Sequence, residues 1–205
     1  MKRRLSIAIC ILFIMGIFSG CGAKLSGDES VIYVDKKGAI TTLDVDVFDQ
    51  GYYSEEEFKK DMEDFVSSYN EEHGKNAVKV EDFSVEDQKV RLQMKYQTAE
   101  DYRNTIGIEM YQGKVVNALA EGYGFDVDFS AVEDGKVTGS AQKTDFYGEG
   151  DLKTVIIKAN TNVKVEGEIC YVSSDHVEVT GADSVTIGAD SDSLETEIYT
   201  YIVYK

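Results

Sequence analysis

The run from Lys89 to Tyr96 constrains the fold more than any other stretch, because polar and apolar side chains alternate in it without a break. Every second position is apolar, and the positions between carry cationic or amide groups: Val90, Leu92, Met94 and Tyr96 against Lys89, Arg91, Gln93 and Lys95. A period of two is typical of a strand with one face buried. We predict that this strand pairs with the preceding stretch 77–85, "AVKVEDFSV".

A hairpin and helices are predicted by local signals on either side of this pair. "VIYV" (31–34) and "AITTLDVDVF" (39–48) are separated by a turn in which Gly38 suits a left-handed position. Ser54 with Glu57 forms a capping box, and apolar residues then recur at helical spacing up to Gly74: Phe58, Met62, Phe65, Val66 and Tyr69. Thr98 with Asp101 opens a shorter helix that ends near Gly107, and residues 113–124 can supply a third.

The fold class predicted from these elements is α+β, with an antiparallel sheet covered by an amphipathic helix. After about Ala131 the chain changes to short β-branched runs cut by turn residues, which favours a β-rich C-terminal meander or small sandwich. We expect one domain over 31–205. The Gly-, Asp- and Ser-rich stretch 134–150 is either a surface loop or a separator between two sub-lobes, 31–130 and 151–205.

The N-terminus has the three parts of an export signal. Basic Lys2, Arg3 and Arg4 precede an apolar stretch, 5–18, which is followed by Ser19-Gly20 and Cys21. A membrane-spanning helix needs ~20 apolar residues, so this stretch is too short to be a permanent anchor. Residues 1–20 are therefore predicted to be a signal peptide, and the small and polar residues 21–30 a flexible tether.

The segment Phe18-Ser-Gly-Cys21 resembles the lipobox of bacterial lipoprotein precursors, with Phe18 where leucine is usual. The resemblance implies a diacylglycerol joined to Cys21 through a thioether, cleavage before Cys21, and a chain held on the extracytoplasmic face of the cell membrane. The stretch 167–173 and the terminal 201–205 are similar to uncharacterised surface lipoproteins of Gram-positive bacteria, a resemblance that implies no activity.

Charge excludes one class of partner. The chain has 38 acidic and 21 basic residues, a net charge of −17, which becomes −20 once Lys2, Arg3 and Arg4 are removed. Such a charge repels nucleic-acid phosphates and anionic headgroups, and no run of lysine or arginine follows the N-terminus. Nucleic acid is therefore not an expected partner.

The cysteine, aspartate and histidine residues do not predict a catalytic residue, a metal site or a cofactor. With the Cys21 sulfur alkylated, Cys170 is the one cysteine left after the signal peptide and is expected to serve as a small hydrophobic residue. Asp44, Asp46 and Asp49 are candidate calcium ligands, but the sixth position of an EF-hand loop would be Asp49 instead of glycine, which favours a strand with one wet face.

The two histidines favour structural roles in this pattern. His73 falls in the last turn of the long helix, where its charge suits the helix dipole. His176 follows Ser173-Ser174-Asp175, which holds every residue type of a hydrolytic triad, but a triad assembles from distant parts of a chain, so a turn is favoured.

Three functions are compatible with these features of the sequence. The favoured one is a membrane-anchored, non-catalytic binding or interaction module of the cell envelope, whose partner is another envelope protein or a cell-wall glycan. The alternatives are an envelope hydrolase acting on wall polymer or peptide, and a small receptor component of an importer. Convergence of His176 with an acidic or hydroxyl group in a cleft would favour the hydrolase.

Overall fold

The structure is a computed structural model that describes residues 24–49, 54–191 and 193–205. Within these ranges the helices are α1 (Glu55–His73), α2 (Ala99–Ile106) and α3 (Val115–Ala120). The strands are β1 (Val31–Val34), β2 (Ile40–Val47), β3 (Val78–Glu86), β4 (Lys89–Tyr96), β5 (Met110–Lys114), β6 (Phe129–Glu133), β7 (Lys136–Ala141), β8 (Lys153–Ala159), β9 (Asn162–Val165), β10 (Ile169–Ser173), β11 (Val177–Val179), β12 (Ser184–Ile187) and β13 (Glu195–Tyr204).

The strands form two sheets dominated by antiparallel pairing. Sheet A has the order β11-β12-β9-β1-β2-β4-β3, and sheet B has the order β5-β8-β13-β10-β6-β7. The β1–β9 pair is parallel, while the other described pairs are antiparallel. The broad prediction of a mixed fold with antiparallel sheets and helices is confirmed.

Local sequence signals account for the elements of the N-terminal half. β4 begins and ends where the alternation predicted, and it pairs with β3 as expected. The hairpin of β1 and β2 turns at Gly38, whose φ of 90° lies in the region that glycine tolerates. Ser54 Oγ accepts the backbone N–H of Glu57 (3.2 Å) at the start of α1, which ends at His73 before Gly74.

The inner core contains buried side chains from both sheets. Ile32, Ile40 and Tyr96 of sheet A belong to the same cluster as Ile157 and Ile202 of sheet B, and each is at most 4 % exposed. Fully burying an aliphatic side chain of this size contributes ~1.5–3 kcal/mol. The shared core therefore couples strands that lie more than a hundred residues apart in the chain.

An outer core covers the other side of sheet B. Ile156, Tyr201 and Val203 of that sheet cluster with Phe125 and Phe146, which come from the loops around β6 and β7. The Phe129 and Phe146 rings meet edge to face with centroids 5.0 Å apart, a geometry that aromatic rings favour. The sequence did not predict this second cluster.

Of the two arrangements predicted for the C-terminal part, a meander or a small sandwich, the meander is not formed, because the strands after residue 150 divide between the two sheets. β9, β11 and β12 join sheet A, whereas β8, β10 and β13 join sheet B. The Gly- and Ser-rich stretch 134–150 also contains β7, which pairs with β6 across a tight turn. Both Asp134 (φ 50°) and Gly135 (φ 72°) are left-handed there, as a type I′ hairpin requires.

The described part of the proposed tether lies against the outer face of sheet A. The backbone N–H of Leu25 donates to Gln93 Oε1 (3.1 Å), and the Arg91 guanidinium pairs with Asp28. The predicted signal peptide, with Cys21, lies outside the described residues. Among the helices that the structure describes, none has the length and apolar character required to span a bilayer.

Candidate functional site

A cavity of about 450 Å³ opens where β1, β2 and α2 meet the loops that precede β9 and β13. Its walls therefore come from distant parts of the chain, including Asp44, Tyr102 and Asn160. Ligand sites are commonly concave, with volumes of ~300–1,000 Å³ and a few polar groups that converge. This cavity combines those properties.

Asp44 is the central charged group of the cavity. Alternate residues of β2 point to one side of sheet A, so Asp44 shares the side of Ile40 and Thr42, which are buried. Asp44 is exposed by its accessible surface and reaches solvent through the cavity mouth, although the protein around the carboxyl group removes part of its hydration. This burial raises the pKa of Asp44, and a hydrogen bond from Thr42 Oγ1 to Asp44 Oδ2 (2.9 Å) offsets only part of the effect.

We expect the substitution Asp44→Asn to raise the thermal stability of the protein at pH 7. A group whose pKa is raised on folding stabilises the folded state below its unfolded pKa, and that contribution is lost as the pH rises through the folded pKa. The charged carboxylate therefore costs stability at neutral pH. Since solvent reaches the side chain, the gain should be under ~1 kcal/mol, or up to about 3 °C in Tm.

Thermal unfolding followed by circular dichroism between pH 3 and pH 8 checks this expectation. The difference between D44N and the native protein should vanish at the acidic end, where Asp44 is protonated. Asp61→Asn makes the same change on α1, outside the cavity, and should show no such trend. A D44N protein less stable than the native one at pH 7 contradicts the account.

Tyr102 lies on the α2 side of the cavity. It is 3 % exposed, and its ring meets that of Tyr96 edge to face at 5.3 Å. Burial, with the nearby Tyr96 and Asp44, raises the pKa of the Tyr102 phenol, which therefore stays protonated as a hydrogen-bond donor. No group in the described part of the chain bonds to this hydroxyl.

The Tyr102 hydroxyl is not used by any described group of the protein. Among the described residues, no fully enclosed side-chain nitrogen or oxygen lacks a partner. Since no described group bonds to this hydroxyl, its oxygen is not fully enclosed by protein, and Tyr102 lines the cavity. A buried phenol in this position is a donor available to a ligand.

Hydrogen bonds from Asn160 hold the loop before β13, which forms one wall of the cavity. Its Nδ2 donates to Ser191 Oγ (3.1 Å) and to the carbonyl oxygen of Ser193 (2.8 Å), while its backbone N–H donates to the carbonyl of Leu194 (2.8 Å). Gly188, with φ 62°, allows this approach because a Cβ there would collide with Asn160 Oδ1. The loop position thus depends on one amide side chain.

The substitution Asn160→Ala should loosen this loop. It removes two side-chain hydrogen bonds, each worth ~0.5–1.5 kcal/mol net, so we expect a stability loss of about 1–2 kcal/mol. Hydrogen exchange of the Gly188 and Ser191 amides should become at least about tenfold faster. Asn117→Ala, at an exposed position of α3, is the matched control; unchanged exchange in N160A would show that Asn160 does not hold the loop.

A second cavity, of about 510 Å³, lies on the other side of this loop and includes His176, Glu178 and Asp190 in its walls. No hydrogen bond or ion pair joins the His176 ring to a described residue within the cleft. Ser191 also lines this cavity and is a candidate nucleophile by type, but its hydroxyl donates to the Ser193 carbonyl and accepts from the Ser193 N–H (3.2 Å) and from Asn160. These bonds give Ser191 a structural role in the turn.

The contiguous Ser173–His176 stretch does not assemble as a triad. Ser173 Oγ accepts the backbone N–H of Tyr201 (2.8 Å) inside sheet B, and Ser174 Oγ lies 3.0 Å from Ser130 Oγ. His176 sits in a tight turn with φ 60°. The predicted turn is therefore present, between β10 and β11.

The three candidate calcium ligands are not gathered into one cluster. Asp44 and Asp46 both line the first cavity, while Asp49 follows the end of β2. In the described ranges, no group of three or more His, Cys, Asp or Glu side chains is arranged to hold a metal ion. The aspartates of β2 instead occupy the side of the strand that continues from the core into the cavity.

Cys170 and His73 occupy structural positions. Cys170 packs against the outer core, its Sγ contacts the Glu168 carbonyl oxygen (3.5 Å), and burial raises the pKa of the thiol, which disfavours the nucleophilic thiolate. His73 is the last residue of α1, as predicted, and stacks on Tyr69 with centroids 4.1 Å apart.

The partly exposed tyrosines at the outer side of sheet B are less suited than the cavity to hold a ligand: Tyr111 and Tyr199 lie on its strands, and Tyr123 lies between α3 and β6. Tyr111, Tyr123 and Tyr199 pack against one another at the edge of the outer core, with successive centroids 5.1 and 5.8 Å apart. The Lys158 ammonium already lies over the Tyr199 ring, 4.6 Å from its centroid. That ring face is therefore occupied by a cation from the protein itself.

The comparisons with known proteins found no relative for this chain. No family model matches it, and neither the curated proteins nor the solved structures include a significantly similar one.

Proposed function

We propose that the chain is a membrane-anchored binding module of the cell envelope, held at the extracytoplasmic face by a lipid on Cys21, with the Asp44 cavity as its ligand site. The observation that carries the binding role is the cavity itself. A carboxylate and a buried phenol donor converge there from β2 and α2, with hydrogen-bonding capacity that the described protein leaves unused. The anchor rests on the resemblance to lipoprotein precursors.

The binding role is favoured because the cavity presents polar groups whose hydrogen-bonding capacity the described residues use only in part. A typical hydrogen bond between protein groups contributes ~0.5–1.5 kcal/mol net, and one to a charged group ~1.5–3 kcal/mol. A ligand that meets both Asp44 and Tyr102 would gain from groups that are already in position.

Photo-cross-linking on intact cells tests this function. A photoreactive amino acid at Ile106, which lines the cavity and is 44 % exposed, should give an adduct of defined mass. The same probe at Val137 on β7, 56 % exposed and outside the cavity, should not. The Ile106 adduct should weaken when Asp44 is replaced by asparagine.

Equal adducts at both positions, or none at Ile106 in a folded protein, contradict the proposal. Circular dichroism of each variant verifies that the probe has not disrupted the fold. Since an adduct in the cavity does not depend on the lipid, this result is independent of the anchor.

The envelope hydrolase is a second candidate, because His176, Glu178 and Asp190 line one cleft. A general base must lie within hydrogen-bonding reach of the proton that it takes, directly or through one water. Under this alternative, the native protein releases soluble fragments from purified cell wall and His176→Ala does not. Under the binding proposal, neither protein releases them.

We also propose that α1 acts as the cover of sheet A at its β3 edge. Support comes from Met62, Val66 and Tyr69, which pack against the inner core, and from the stacked rings of Phe58 and Phe83, whose centroids are 5.4 Å apart. Asn70 adds two hydrogen bonds of 2.9 Å to the backbone of Val78. The cover is then part of the scaffold that holds β2 and Asp44.

A further inference from the structure

The charge of the two neighbouring cavities is one-sided. Their described walls contain no lysine or arginine. They contain four carboxylates: Asp44, Asp46, Glu178 and Asp190. A cleft lined by one sign of charge attracts ligands of the other sign and repels those of its own. Anionic ligands are therefore disfavoured, and a cationic group is the natural partner of the Asp44 carboxylate.

The partners of Asp44 leave room for such a group. Within the described chain its carboxylate accepts one hydrogen bond, from Thr42 Oγ1, and forms no ion pair. A carboxylate has about four acceptor sites. A primary ammonium group, with three donors, can use the remaining ones and form short, charge-assisted bonds.

The rest of the wall is suited to a hydroxylated skeleton. Hydroxyl and amide side chains line the same cavity as Asp44: Ser30, Asn160, Thr161, Asn162, Ser191 and Ser193. The Tyr102 hydroxyl, on a buried residue and without a partner among the described residues, offers a donor to a ligand oxygen. Ile32, Ile106 and Leu194 supply apolar contacts for ring carbons.

We propose that the Asp44 cavity binds a small hydroxylated primary amine, of which an amino sugar with a free ammonium group is the chemical class that fits best. This assignment rests on the binding function proposed above and names its ligand. The ammonium group pairs with Asp44, a ligand oxygen accepts from Tyr102, and the remaining hydroxyl groups bond to the amide and hydroxyl side chains of the wall.

Titration calorimetry on the full mature protein tests the ligand class with three sugars of similar skeleton. Glucosamine carries the ammonium, glucose replaces it with a hydroxyl, and N-acetylglucosamine removes its charge. We expect glucosamine to bind at least ~10-fold more tightly than either neutral sugar, because a charge-assisted pair is lost in both. Asp44→Asn should abolish that preference, while Asp61→Asn should leave it intact.

The substitution Tyr102→Phe tests the proposed contact of a ligand oxygen with Tyr102 separately from the contact of the ammonium group with Asp44. It should weaken glucosamine and glucose by the same factor, about 3–10-fold, and keep the preference for the amine, because it removes a hydrogen bond without removing the charge. Circular dichroism establishes that each variant is folded. A preference for glucosamine that survives in D44N would overturn the assignment of the ammonium to Asp44.

The outcomes also separate the ligand class from the binding function. If a neutral sugar binds as tightly as glucosamine, or if none of the three binds while the Ile106 probe still gives an Asp44-dependent adduct, the amine class is wrong and the binding function stands. If no sugar binds and no adduct forms, both proposals fail.

Discussion

Replacement of Cys21 by alanine is expected to move nearly all of the protein from the membrane fraction to the soluble or secreted fraction. The predicted thioether requires the Cys21 sulfur, and without it no lipid can be attached. Each buried methylene contributes ~0.8 kcal/mol to membrane binding, and two acyl chains hold a protein where one chain gives only marginal attachment. Fractionation of cells followed by immunodetection measures the change.

Cys170→Ala is the matched control for this experiment. It also removes a thiol, but Cys170 packs against the outer core and the structure gives it no role in attachment. Its fractionation should match that of the native protein. A Cys21→Ala protein that stays in the membrane fraction would contradict the proposed anchor.

The largest effect on stability is expected from Ile202→Ala. Ile202 is fully buried in the inner core, and β13 pairs there with β8 on one side and β10 on the other. Removing a buried isoleucine side chain to Cβ costs about 2–5 kcal/mol, because apolar contacts are lost and a cavity remains. The corresponding fall in Tm is about 5–15 °C for a chain of this size.

Denaturant unfolding followed by both circular dichroism and tyrosine fluorescence checks this result. The two signals should shift together, because the sheets share one core. Ile198→Ala, on the same strand but at a position 50 % exposed, should change stability by less than ~0.5–1 kcal/mol. Separate transitions for the two signals would show that the sheets unfold as independent units.

Local signals predicted the elements whose formation depends on neighbouring residues. The alternation of β4 and the caps of α1 and α2 involve contacts within a few positions, and Thr98 Oγ1 indeed accepts the Asp101 backbone N–H (3.0 Å) at the start of α2. The strand β7 was missed because most of its side chains are small, polar or exposed. The Asp134-Gly135 pair was the available signal, since this dipeptide favours two-residue hairpins.

Long-range pairing could not be predicted in the same way. β9 lies parallel to β1, with Val163 opposite Ile32, although 131 residues separate them. The β-branched pattern of each C-terminal run fits either sheet equally well, so the sequence does not specify which sheet a run joins. The division of these strands depends on packing in the shared inner core.

The candidate site was visible in the sequence only in part. Asp44 was named only as a candidate calcium ligand, because oxygen-rich spacing is a local pattern, and a strand with one wet face was favoured over that role. Tyr102, Asn160 and Ser191 carry no motif, and the fold alone brings them beside Asp44. The helical position of Tyr102 on α2, opposite the exposed Glu100, indicated burial but not a cavity.

The most direct test of the lipid-anchored account is the mass of the N-terminal peptide of the protein extracted from membranes. The account predicts that this peptide begins at Cys21 and carries a diacylglycerol in thioether linkage, with or without a further acyl group on its amine. An unmodified Cys21, or a chain that retains residues 1–20, would contradict it.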